Sequence, residues 1–131
     1  MDTNKPETFG APAIVGADAT VMRLMEQAPE AQPERTRPAV QRLLQGDGAN
    51  IIAFTFAPGQ ELPEHKAAHP ITVQCLAGQL DFEVAGATTR LEPGVVVHLR
   101  DHIPHSVLCP ADAPGRSILL LTMLTGERHS S

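Results

Sequence analysis

A chain of 131 residues, 42% of them hydrophobic, supports one packed domain and leaves no room for a second. A net charge of −5, with only ten scattered Lys and Arg, argues against a nucleic-acid footprint, and the lack of Trp and Tyr argues against a stacking platform for single strands. Twelve prolines and ten glycines rule out a long-helix bundle, and no apolar run approaches the length of a membrane span.

Residues 1–16 are rich in Pro and Ala without a clear period, and read as an arm or an added edge strand. The opening residues have no apolar stretch of the kind a signal peptide needs, so the expected location is cytoplasmic. Between Asp18 and Ala28, Val21, Leu24, Met25 and Ala28 fall on one helical face. Asp18 or Thr20 stands ready to cap the start, and Pro29 follows the end. This predicts one short helix, followed by a polar connector from Pro29 to Pro38.

From Ala39 onward the pattern changes to short β-like runs separated by breakers. Val40–Leu44 precedes Gly46-Asp47-Gly48, a hairpin-turn signal, and Asn50–Phe56 is rich in β-branched and aromatic residues. Further strands are expected at Ile71–Ala77, Gln79–Val84, Thr88–Leu91, Val95–Leu99, Ser106–Cys109 and Ser117–Leu124. Regular short strands with Gly and Pro turns indicate a β-sandwich or barrel. Cys75 and Cys109 lack CxxC spacing and are expected as two buried thiols in a reducing compartment.

Five of the six histidines, His65, His69, His98, His102 and His105, lie within the β region. Two from one loop edge and a third from a later strand can converge inside a barrel, where neutral imidazole is a good donor to a divalent transition metal. Spacing alone equally fits a set of surface and rim histidines. His98 alternates with Val95 and Val97 and is expected on the rim or outer face.

The segment Gly59-Gln-Glu-Leu-Pro-Glu-His65, continuing through His69 to Gln74-Cys75-Leu76-Ala77-Gly78, resembles the first motif of the cupin superfamily. Leu91-Glu-Pro-Gly94 followed by Ile103-Pro104-His105 resembles the second. The resemblance covers roughly residues 38–125. It implies an all-β double-stranded β-helix, or jelly-roll barrel, here preceded by an arm and one short helix over 1–37 and followed by a disordered tail over 126–131.

Cupin metal sites use both histidines of an HxH, a glutamate and the second-motif histidine. In this chain the first and last align with His65 and His105; the second histidine falls on Ala67, and the glutamate is read on Pro70. His102 replaces a motif glycine and would carry modest strain if the backbone there keeps a positive φ. His69 stands near the lost ligands. The expected metal set is therefore His65, His69 and His105, holding one divalent iron, manganese, nickel or zinc ion per chain, with Gln74 and His102 facing the ligand pocket. The alternative is a metal-free barrel that binds a small organic ligand as a sensor or sequestering module. Small cupins are commonly dimers, so the resemblance also implies a homodimer. Neither nucleic acid nor membrane is an expected partner.

Overall fold

The computed structural model describes residues 2–126. Eleven strands form two sheets. The first holds β1 (Thr3–Asn4), β5 (Glu61–Ala67), β10 (His105–Leu108), β7 (Leu80–Val84) and β8 (Ala87–Leu91), in the spatial order β1-β5-β10-β7-β8. The second holds β2 (Ile14–Val15), β3 (Ala39–Gln45), β4 (Asn50–Phe56), β11 (Ser117–Met123), β6 (Ile71–Ala77) and β9 (Val96–Leu99), in the order β2-β3-β4-β11-β6-β9. All pairings are antiparallel except β1 with β5 and β2 with β3, where the N-terminal arm adds a short parallel strand to one edge of each sheet. This is the expected jelly-roll barrel, and the arm packs as edge strands. No helix among the described residues is long and apolar enough to cross a membrane. The expected tail, beyond Gly126, lies outside the described residues.

The core lies between the sheets. Alternate residues of β4, β6, β7 and β11 meet there: Ile52, Phe54 and Phe56 face Val73, Phe82 and Leu121 in one buried cluster. β4 and β11 are also buried on their other faces, at Ala53, Thr55, Ile118 and Leu120. Doubly buried strands read as continuous apolar runs, which is why these two stand out in the sequence. The Gly46–Ala49 turn closes the β3–β4 hairpin with a 2.8 Å bond from the Gly46 N–H to the Ala49 carbonyl.

Gly78 marks the crossing from one sheet to the other. Its φ is +78°, and a Cβ there would meet the Ser117 hydroxyl and lie 2.8 Å from Ser117 Cβ and 2.9 Å from the Arg116 carbonyl. Only glycine fits both the conformation and the space.

Two expectations change. The helix shrinks to one turn, α1 (Leu24–Gln27), with no side-chain cap. Thr20 instead receives the Ala17 N–H in a turn of its own, and Val21 and Met25 stay exposed, so the apolar stripe has no surface to bury against. The second change is β5, a strand where a loop was expected. Its signal is masked by Pro63, which sits at a bulge: His65 pairs with His105 but Leu62 pairs with Val107, so β5 spends one extra residue there. The connector before β3 is tied down by the buried Gln60, which donates to the carbonyls of Gln32 (2.8 Å) and Arg35 (3.0 Å).

Candidate functional site

Register places His65 and His105 directly opposite one another on β5 and β10. Their rings meet edge to face with centroids 4.3 Å apart. The other side of His105 stacks on Phe82, 5.4 Å away and 29° from parallel. The β5 bulge lets Leu62 and His65, three residues apart, both point into the barrel, where strict alternation would have turned one of them out.

Each imidazole is oriented by the backbone two residues before it. His65 Nδ1 lies 2.8 Å from the Pro63 carbonyl, and His105 Nδ1 lies 2.9 Å from the Ile103 carbonyl. A carbonyl only accepts, so both Nδ1 atoms carry the proton, and each neutral ring keeps its lone pair on Nε2. Burial holds the rings neutral. It lowers the His105 pKa to about 4, with the neighbouring His65 adding to the effect. Burial also lowers the His65 pKa, helped by Arg37 and opposed by the Pro63 hydrogen bond.

The pair lines a narrow, partly open cavity of about 10 Å3, the space of a single water. Its walls are apolar: Phe54, Ala67, Val73, Phe82 and Leu121 among others. Just outside lies an open cleft of about 240 Å3, with Arg37, Val40 and Glu64 on its sides. Two acceptor nitrogens set in an apolar wall can take hydrogen bonds from a donor-bearing ligand, and either nitrogen can accept a proton.

The other expected site residues go elsewhere. His69 follows the end of β5 and lines a separate, open cavity with Arg42 and Asn50. Gln74 sits on the outer face of the six-stranded sheet, paired with Leu120 and the exposed Val96, because Ile71, Val73 and Cys75 are the inward residues of β6. His102 does adopt a positive φ of 62°, but it is exposed and bonded to Asp101 at 2.8 Å. It turns away from the barrel. His98 is exposed on the outer face, and Cys75 and Cys109 are buried free thiols.

The same strand parity moves the family's glutamate position. The inward residue seven before Gly78 is Ile71, fully in the core; Pro70 lies in the turn and gives its carbonyl to the Leu124 N–H. Ala67, at the second-histidine position, is a wall of the cavity. Two imidazoles therefore face two hydrocarbon side chains. Among the described residues no group of three or more His, Cys, Asp or Glu is placed to hold a metal ion. Catalytic metal sites of this kind take three protein ligands and an open position, and this donor set does not supply them. Sequence reasoning missed Asn4 and Phe9 as cavity residues. Nothing local signals them, because their place depends on how the arm docks.

A double-sheet jelly-roll barrel with an inward histidine pair on two adjacent strands defines a class of small β-barrel proteins. Residues 53–121, just over half of the chain, match the Cupin domain model, and the chain belongs to the cupin family. The fold is similar to a cupin superfamily protein from Desulfitobacterium hafniense, 20% identical, TM-score 0.65, covering 86% of this chain and 95% of that one. It is also similar to a double-stranded β-helix protein from Klebsiella pneumoniae (18% identical, TM-score 0.68, covering 84% and 93%) and to an RmlC-like cupin from Desulfovibrio desulfuricans (22%, 0.63, covering 79% and 95%). At these identities the likeness carries the fold alone. No curated protein matches the chain.

Proposed function

We propose that this chain is a metal-independent cupin that binds a small organic molecule, with His65 and His105 as paired hydrogen-bond acceptors. The observation that carries this reading is a pair of imidazoles of fixed tautomer with only Ala67 and Ile71 at the two remaining ligand positions. Each Nδ1 proton is spent on a backbone carbonyl, so each Nε2 is left as an acceptor toward the apolar interior. The ligand this suits has an apolar body and one or two O–H or N–H donors. Its binding stabilises the folded chain by mass action, by about 2.7 kcal/mol at a hundredfold excess over Kd.

A thermal-shift screen of small phenols, alcohols and amides tests the reading. At least one compound raises Tm for the parent protein, with or without EDTA, and fails to do so for His65→Ala and His105→Ala. A screen with no stabilising compound overturns the reading. So does dialysed protein carrying near one transition metal per chain that is lost in His105→Ala, which would restore the metal-binding alternative.

We also read the chain as a homodimer. The support is physical: the edge strands β2 and β9 expose Val15 (69%) and Val96 (60%), and pairing removes such edges from solvent. A monomeric mass by light scattering at micromolar concentration would contradict it.

A further inference from the structure

A one-water cavity cannot admit an organic ligand, so the His65–His105 pair needs an entrance. The narrow cavity and the 240 Å3 cleft adjoin: Asn4, Phe9, Phe54, Leu62 and His65 line both spaces. Three of these five sit on β4 and β5, strands paired antiparallel with other barrel strands, β3 and β11 for β4 and β10 for β5. The other two, Asn4 and Phe9, belong to the arm.

The arm is held by fewer contacts, and Pro6 is its one fully buried residue among residues 2–9. β1 is two residues long and lies at the sheet edge, where Lys66 N–H donates to the Asp2 carbonyl (3.1 Å) and Ala68 N–H to the Asn4 carbonyl (2.9 Å). A single 3-10 turn, Pro6–Phe9, then places the Phe9 ring edge-on against Phe54, with centroids 5.6 Å apart. Immediately after Phe9 comes Gly10, at φ +89°, with open space where a Cβ would be. The Gly10 carbonyl is fixed to the barrel by the buried Arg42 (Nη1, 3.1 Å). A permissive glycine thus stands between an anchored point and a lightly held segment, as a hinge requires.

We propose that residues 2–9 are a strap over the barrel mouth and that Phe9 is its gate, the residue that decides how large a ligand reaches the histidine pair. The inference rests on the reading that this pair is the ligand site. With Phe9 swung out, the narrow cavity widens into the cleft, giving room for a molecule of about one aromatic ring with its donors directed to Nε2.

Access to His105 can be measured without any ligand. Diethyl pyrocarbonate transfers an ethoxycarbonyl group to an unprotonated imidazole nitrogen, releasing ethanol and carbon dioxide, and peptide mass spectrometry reads the rate at each histidine. At pH 7, His105 in the parent protein should react about tenfold or more slowly than the exposed His98, because reaction waits on opening of the strap. Phe9→Ala should raise the His105 rate several-fold and leave His98 unchanged, and Phe9→Leu should fall between. Buried Cys75 and Cys109 report folding in the same samples, since both stay silent to iodoacetamide while the barrel is intact. If Phe9→Ala exposes the thiols, Phe9→Leu with silent thiols carries the test. His105 rates equal in the parent and the folded Phe9 variants would overturn the gate, as would a parent His105 that reacts as fast as His98. Failure of every compound in the thermal screen would bear on the ligand reading alone.

Discussion

In the six-stranded sheet, β4 and β11 are buried along almost their whole length, whereas in the five-stranded sheet β5 buries only Ala67 fully and β8 only Leu91. The central strands of one wall are buried on both faces. The other keeps an aqueous face, interrupts its alternation with a bulge at Pro63 and aims two imidazoles inward. The most deeply buried strands and the histidine pair thus lie on different sheets around one core.

The largest expected effect comes from cutting into the doubly buried strands of the six-stranded sheet. Phe56→Ala, at a position with no exposed surface, should cost about 3–5 kcal/mol in urea denaturation. His105 should still titrate near its parent value in that variant, and loss of that value would mean the two walls are not separable. Gly78→Ala tests the crossing between the sheets, where a positive φ and the Ser117 side chain both resist a Cβ. A loss of about 2–4 kcal/mol is expected, and a loss under about 1 kcal/mol would show that the turn can relax.

The pH response belongs to the other wall. Above about pH 6.5 His105 is neutral whether the chain is folded or not, and its contribution is fully present. Between pH 6.5 and about 4 the unfolded chain binds a proton that the folded chain does not, so stability falls as pH falls through this window. The loss is on the order of 2–3 kcal/mol, and the lowered pKa of His65 acts in the same direction. His105→Leu should flatten the curve there; an unchanged slope would place the proton linkage elsewhere. The smallest effect is expected on the outer face of the same sheet. Leu108→Ala, at a residue 43% exposed, should change stability by no more than about 0.5 kcal/mol.

The two walls are unequally legible in the sequence, and the reason is physical. The strands Asn50–Phe56 and Ile71–Ala77 are found with the boundaries expected, because apolar and β-branched residues there answer to one dominant requirement, burial. β5 was hidden by Pro63 and by its charged outward residues, which read as loop until the bulge is seen. At the site, His65 and His105 were legible from motif spacing. The remaining choices failed on parity. Placing the glutamate position on Pro70 put Gln74 on the inner face, and moving that position by one residue to Ile71 turns Gln74 outward, since a strand's side chains alternate. His69 is close to His65 in sequence, but it lies beyond the end of β5 and faces another cavity. The Phe9 contact with Phe54 spans 45 positions of sequence and has no local signature.

The most direct test of the account is the protonation of the two imidazoles, read by long-range 1H–15N NMR across pH 4 to 8. The account predicts that at neutral pH both rings carry their proton on Nδ1 with Nε2 bare, and that His105 stays neutral until the pH approaches 4. Protons found on Nε2, or a His105 that titrates near 6.5 like an exposed histidine, would contradict the paired-acceptor site on which the proposed function rests.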